Sequence, residues 1–311
     1  MESGKIRLAL VGLGEIAHSK HMPALAGSSR FALAATVDPR TDQGLSGVPH
    51  FATLADLVAD RLALDAVALC TPPGMRLALA ETAIDAGLAV LLEKPPAPSL
   101  SAAMRIAARA HAAGVSLFAT WHSREAAGVS PARDWLAGRT IQSVRVDWRE
   151  DVRQWHPGQE WLLDTGGFGA FDPGINALSI LTAILPEPLV VETCHLQVPA
   201  NRQMPVATIL RMRHGIAPAV ARFDILHEGA PEWVIAIATE AGELLLEHGG
   251  NSLTIAGTNV PCPAEAEYSQ LYARFAELIA TGCSEADLAP LMLVTDAMFT
   301  ASRETVAPFH F

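Results

Sequence analysis

The first 123 residues alternate between short unbroken apolar runs and longer segments with apolar residues every three or four positions. That rhythm belongs to buried parallel strands with helices covering both faces of their sheet. Lys5 to Val11, Phe31 to Val37, Asp65 to Cys70, Ala89 to Leu92 and Val115 to Thr120 read as strands. Between them Glu15 to Ala26, Met75 to Ala86 and Ser99 to Ala113 carry helical spacing; Ser99 caps the third, and Gly87 and Gly114 stop the last two. Beyond about residue 125 the pattern switches to period two, first at Ser143 to Glu150. Similar strands are expected at Leu189 to Val198, Val206 to Met212, Ala219 to Phe223, Trp233 to Thr239, Glu243 to Glu247 and Ser252 to Ala256, together an open, mostly antiparallel sheet. Glu267 to Ala280 and Leu291 to Thr305 are helical by period and are expected to return to the first domain.

Each strand of the first part ends in residues with chemistry. Gly12-Leu13-Gly14-Glu15-Ile16-Ala17 is G-x-G-x-x-A at a strand-to-helix junction. Gly12 permits the tight turn, Gly14 lets backbone approach a pyrophosphate, Ala17 allows close helix–strand packing, and the helix start offers N–H donors and a favourable dipole. Asp38 closes the next strand at the spacing of a carboxylate that bonds the adenosine ribose hydroxyls, which predicts NAD over NADP; Arg40, two residues on, would admit a 2′-phosphate and hence NADP. The third strand ends with Cys70 at Thr71-Pro72-Pro73-Gly74, a rigid turn, and the following strand delivers Glu93-Lys94-Pro95, with Pro95 expected to take a cis bond. Ligands of open parallel sheets collect at the carboxyl ends of the strands, so Lys94 faces the crevice and can serve there as a proton carrier. The last strand delivers Trp121-His122-Ser123-Arg124 to the same edge. The cofactor assignment therefore takes in Gly12, Leu13, Gly14, Glu15, Ile16, Asp38, Arg40, Cys70, Thr71, Pro72, Glu93 and Lys94. The fold class is α/β: an N-terminal Rossmann domain, residues 1–123, and a C-terminal α/β domain for substrate binding and oligomerisation, residues 124–311.

Composition narrows the partners. A chain of 311 residues that is 50% hydrophobic can bury a core in each of two domains. The formal net charge of −11 argues against nucleic acid, which needs clustered Lys and Arg. Neither a bilayer-length apolar run nor, at Met1-Glu2-Ser3-Gly4, a signal peptide is evident, so the expectation is a cytoplasmic protein without a membrane partner. Cys70, Cys194, Cys262 and Cys283 are scattered, and the histidines show no mutual ligand spacing, so neither a disulfide framework nor a metal is expected.

Val11 to Ala17, Glu93-Lys94-Pro95 and Asp172-Pro173-Gly174-Ile175-Asn176 together make the chain resemble the glucose–fructose oxidoreductase, inositol dehydrogenase and rhizopine-catabolism superfamily along essentially its whole length. Phe118 to Arg124, Glu150 to Gln159 and Phe171 to Ile180 are similar to the bacterial L-arabinose/D-galactose 1-dehydrogenases within it. The resemblance implies NAD(P)-dependent oxidation of an aldopyranose (D-galactose, L-arabinose or D-fucose) at C1 to the lactone. It also implies Lys94 and Asp172 as catalytic residues, and a sugar pocket of Lys94, His122, Glu150, Trp155, Asp172, Asn176 and Trp233, with Arg124, His156 and Trp161 as outer neighbours. A homodimer through the open sheet face is expected, both from the superfamily's habit and because an uncovered apolar face is a liability.

Residue chemistry agrees and leaves some points open. Asp172 and Asn176, spaced i, i+4, share a helix face if the helix has begun at Asp172; an Asp before Pro is equally an N-cap with proline at N1. Many superfamily members carry histidine where Asn176 stands, and an amide cannot shuttle a proton, which moves the base role to Asp172 assisted by Lys94. Which of the two is the formal base stays open. Trp135 and Trp148 read as core. The alternatives are a non-catalytic sensor that binds nucleotide and sugar, and a dehydrogenase of another aldose or a cyclic polyol.

Overall fold

The computed structural model describes residues 4–40, 44–264 and 266–311. The expectation about the extreme N-terminus therefore falls, at Met1 to Ser3, outside the described residues. Two compact units emerge. The first runs to Trp121 and adds Tyr268–Leu288; the second is His122–Glu267 with Ala289–Phe311.

In the first unit β1 (Ile6–Val11), β2 (Phe31–Val37), β3 (His50–Phe51), β4 (Ala66–Leu69), β5 (Ala89–Leu92) and β6 (Leu117–Ala119) form one sheet in the order β3-β2-β1-β4-β5-β6. Every ladder in it is parallel. β1, β4, β5 and β6 are buried nearly throughout, which explains why they read as apolar runs without alternation. The order reverses between β1 and β4, so the ends of these strands make the switch point at which doubly wound sheets bind ligands. Helices α1 (Met22–Ala26), α2 (Leu54–Asp60), α3 (Pro73–Asp85) and α4 (Leu100–Ala113) connect the strands. A widened π-helical turn, Ala17–His21, precedes α1 and interrupts the single helix expected from Glu15 to Ala26.

One sheet face is covered by a segment from far along the chain. Tyr268, Leu271, Tyr272 and Phe275 cluster with Leu8, Leu10, Phe31 and Phe118, and the Phe275 ring stacks on Phe31 at 5.9 Å. Residues 268–288 thus group with the Rossmann sheet, the return expected of the helix over Glu267 to Ala280, because its apolar stripe is the cover that face requires.

The second unit holds β7 (Ile141–Arg149), β8 (Leu189–Pro199), β9 (Ala207–His214), β10 (Ala217–Asp224), β11 (Glu232–Thr239), β12 (Gly242–Glu247), β13 (Ser252–Ile255), β14 (Thr258–Val260) and β15 (Ala301–Val306). Their order is β14-β13-β12-β11-β7-β10-β9-β8-β15. The β10–β7 and β15–β8 pairs are parallel and the others antiparallel. Helices α5 (Val129–Leu136), α6 (Val152–Trp155) and α7 (Phe171–Ile184) precede β8, α8 (Glu267–Thr281) leads back to the first unit, and α9 (Ala289–Phe299) returns to the second. The helix expected over Leu291 to Thr305 stops at Phe299; the alternating Ser302-Arg303-Glu304-Thr305 is the edge strand β15, paired with β8.

Helix α7 is buried along nearly its whole length. Gly174 makes its approach to the sheet possible, since a Cβ there would lie 2.4 Å from the Phe223 ring. The opposite sheet face is mixed, with Val190 and Ile209 exposed beside charged residues. On it Arg213 pairs with Glu192 at 3.1 Å, Arg222 with Asp147 at 3.3 Å, and Arg149 with Glu232. Among the described residues no helix is long and apolar enough to cross a membrane.

Candidate active site

The carboxyl ends of the first unit's strands bring the dinucleotide motifs together. Gly12 N–H bonds the Val37 carbonyl at 2.8 Å and Cys70 N–H the Val11 carbonyl at 2.8 Å, tying the ends of β1, β2 and β4. Gly12 has φ +87°, and a Cβ on it would lie 2.8 Å from Thr71 Cγ2, so only glycine passes this point. At Gly14 a Cβ would meet nothing within 4 Å: the backbone there borders open space at a helix start. Thr71 Oγ1 is buried and has no hydrogen-bond partner among the described residues, a donor waiting for an acceptor. A glycine turn, open backbone and an orphaned hydroxyl fit a dinucleotide pyrophosphate.

Asp38 is almost fully buried and accepts Leu13 N–H at 2.9 Å. The Arg40 guanidinium grips it from the other side, Nε to Oδ1 at 2.8 Å and Nη2 to Oδ2 at 3.0 Å. The Arg40 bonds, with the Leu13 N–H, hold this carboxyl well below the usual carboxylate range against the opposing effect of burial. Arg40 thus closes over the group expected to receive a ribose, in place of reaching away towards a phosphate.

Lys94 follows β5, and its bond to Pro95 is cis. Glu93 is 2% exposed, and its carboxylate accepts Lys94 N–H at 2.7 Å, Tyr268 Oη–H at 2.7 Å and His21 Nε2 at 3.2 Å. Arg76, also buried, donates through Nε to the Thr71 carbonyl at 2.8 Å and through Nη1 to the carbonyls of Glu93 and Pro95. Sequence reading missed His21, Arg76 and Tyr268.

In the second unit Glu150 follows β7 and is 4% exposed, with one carboxylate oxygen accepting Trp233 Nε1–H at 2.8 Å. The Trp155 ring meets Trp233 edge-on at 4.9 Å, and Trp155 is 42% exposed, so an aromatic surface stays open beside the carboxylate. Asp172 lies inside the first turn of α7, which begins at Phe171 after Ala170, so it is not the N-cap; Asn176 stands one turn further on the same side. His156 Nε2 sits 3.7 Å from Glu150 Oε1 and 3.8 Å from Asp172 Oδ2, joining the two buried carboxylates into one polar group. Glu150, Trp155, Asp172 and Trp233 are thus gathered, with His156 at their centre. Trp148 lies behind Trp233, centroids 6.3 Å apart, as core.

The remaining residues have other partners. His122 Nδ1 bonds Glu267 at 2.8 Å, and Asn251 donates to the other Glu267 oxygen at 3.2 Å. Arg124 braces α7 through the Ser179 carbonyl and the Thr182 hydroxyl, at 3.0 and 2.9 Å.

Residues 6–120 match the family of oxidoreductases with an NAD-binding Rossmann fold. Galactose 1-dehydrogenase of Pseudomonas fluorescens is 42% identical over 98% of this chain and 99% of its own. The chain belongs to the glucose–fructose oxidoreductase, inositol dehydrogenase and rhizopine-catabolism family. A D-galactose 1-dehydrogenase from Rhizobium etli has a solved structure that superposes with a TM-score of 0.95 at 42% identity, covering 100% of this chain and 99% of that one. A more distant member of the fold, a 3-ketoreductase from Actinomadura kijaniata solved with NADP and TDP-benzene, is 18% identical with a TM-score of 0.86, covering 97% of this chain and 100% of that one. In family terms, the buried Glu93 and the cis Lys94–Pro95 bond stand at the Glu-Lys-Pro signature, and Asp172 and Asn176 at the later one.

Proposed function

We propose that the protein is an NAD(P)-dependent aldose 1-dehydrogenase that oxidises D-galactose, L-arabinose and D-fucose at C1 to their lactones. The observation that carries this reading is the pair of buried carboxylates, Glu150 and Asp172, joined through His156 beside the Trp155–Trp233 edge, in a chain 42% identical over nearly its full length to a galactose 1-dehydrogenase. Carboxylates and imidazole accept or donate to ring hydroxyls, and indole faces suit the apolar C–H side of a pyranose.

The bound dinucleotide supplies an acceptor for the C1 hydride. Asp172 accepts the proton of the C1 hydroxyl as the C1–H bond gives up its electron pair and the carbonyl of the lactone forms. His156 and Glu150 orient neighbouring hydroxyls, Asn176 supplies an amide, and His122, fixed by Glu267, completes the polar lining. Gly12 to Ile16, Thr71 and Asp38 hold the dinucleotide. We assign NAD as the preferred form, because an ionised Asp38 suits ribose hydroxyls and repels a 2′-phosphate, while Arg40, once released from Asp38, gives NADP a partner.

A homodimer through the open face of the β7–β11 sheet completes the reading, with the arginines and carboxylates of that face as its polar contacts. A reducing compartment, the cytoplasm, suits four cysteines that are all thiols.

Steady-state kinetics on D-galactose, L-arabinose, D-fucose and D-glucose with NAD tests the assignment. The first three share configuration at C2, C3 and C4, whereas glucose inverts C4 and leaves buried partners unpaired at a cost of about 1–3 kcal/mol per group. Glucose is expected to trail by about 5- to 150-fold in kcat/KM. Glucose outrunning galactose, or no reduction of NAD with any of the four, would overturn it.

A further inference from the structure

Lys94 is held at its backbone from two sides by groups that lie in the interior. On one side its N–H donates to Glu93, whose carboxylate also accepts the Tyr268 hydroxyl and His21 Nε2, while His21 Nδ1 lies 2.8 Å from Tyr272 Oη. On the other side the Arg76 guanidinium joins the carbonyls before and after the lysine, those of Glu93 and Pro95, to the carbonyl of Thr71 at the end of β4. Glu93, His21 and Arg76 are each no more than 3% exposed, and ionisable groups so placed are costly unless they are paired.

A helical cover needs none of this. The Phe31, Phe118 and Phe275 rings and their aliphatic neighbours already dock α8 on the sheet, so the polar atoms inserted beneath it do more than fasten the helix. Their bonds converge on the peptide unit just before the Lys94 side chain and on the carbonyl of Pro95 just beyond it. Burial lowers the basicity of His21, but Cys70, Tyr272 and Glu93 together raise it well above the ordinary histidine value, and burial pushes the Tyr272 hydroxyl up to about 12. The His21 ring thus spans the Glu93 carboxylate and the Tyr272 hydroxyl, one nitrogen to each, which fixes the carboxylate in one orientation.

We propose that Arg76, His21 and Tyr268 are positioning residues for Lys94, holding its Cα through the Glu93 carboxylate and the carbonyls of Glu93 and Pro95 so that its ammonium meets the reacting hydroxyl. The inference rests on the reading of Lys94 as catalytic. Small misplacements of a reacting group cost large factors in rate, so a clamp of this kind acts on turnover more than on binding.

The test is a double-mutant cycle. Tyr268→Phe keeps the ring in the core and deletes the bond to Glu93; it is expected to lower kcat on galactose about 10-fold, the order of one lost buried hydrogen bond. The dissociation constant for NAD, read by fluorescence titration, is expected to stay within about twofold. In a Lys94→Ala background the same substitution is expected to cost less than about twofold more, because there is no longer an ammonium to misplace. Equal losses with and without Lys94, or parental kcat in Tyr268→Phe, would overturn the inference. Parental turnover in Lys94→Ala alone would instead sink the catalytic reading, so the two failures are distinguishable. Should Tyr268→Phe fold poorly, His21→Gln against His21→Leu makes the same comparison, with Gln, which keeps an N–H donor, recovering kcat and Leu not.

Discussion

Trp233 donates its indole N–H to Glu150 at 2.8 Å while its ring meets Trp155 at 4.9 Å, so one side chain both fixes the carboxylate and completes the aromatic edge. Trp233→Phe keeps the edge and removes the donor. A buried acceptor deprived of its partner costs about 1–3 kcal/mol. The KM for galactose is expected to rise about 10-fold with kcat falling less, read in steady-state assays; an unchanged KM would remove Glu150 from the sugar.

Asp172 sits in the first turn of α7, 3% exposed, with His156 3.8 Å from its carboxylate. Asp172→Asn preserves shape and abolishes the proton acceptor. A loss of about 100-fold or more in kcat is expected, as for general acid–base catalysis, and Lys94→Ala is expected to match it. Near-parental turnover in well-folded single variants would place the chemistry elsewhere.

Thr71 Oγ1 is buried and unpartnered among the described residues. Thr71→Val deletes a hydroxyl that contributes nothing to the folded chain alone, so the melting temperature of the unliganded protein is expected to hold or rise. The KM for NAD is expected to rise several-fold, because the hydroxyl's partner arrives with the dinucleotide. A drop in stability without a change in KM would reverse both statements.

Arg40 keeps Asp38 ionised below the ordinary carboxylate value of 3.8. The folded value is depressed, so the contribution of this pair to stability is present above about pH 4 and is lost only as pH falls through the lower, folded value. Asp38→Ser is accordingly expected to shift the ratio of NAD to NADP efficiency towards NADP when read at about pH 8, well above the titration of the 2′-phosphate at about pH 6. A ratio unchanged by Asp38→Ser would show that the discriminating charge is not Asp38.

Local pattern made the strands, the glycine turn and Asp38 readable, because each depends on neighbours within one β–α unit. Asp172 was also visible, although the Asp-Pro pair read equally as a helix cap until α7 proved to begin at Phe171. What the linear chain concealed were partners distant along it. Nothing near Glu93 marks Tyr268 as its donor, nothing near His122 marks Glu267, and Arg76 looks like an ordinary surface residue of α3 until its burial against three carbonyls is seen. The edge strand β15 was hidden for a related reason: its pattern ran on from α9 without a break, and only its pairing with β8 separates them.

The helix α8 also sets the order in which the protein can be made. During synthesis Leu8, Leu10, Phe31 and Phe118 leave the ribosome long before Tyr272 and Phe275, so the nascent Rossmann sheet must wait with one apolar face uncovered and Glu93 without the Tyr268 hydroxyl until nearly the whole chain has emerged. A fragment that ends at Trp121 is by this logic an aggregation-prone half of a domain, and a chimaera that borrows the dinucleotide-binding module must borrow residues 268–288 along with it.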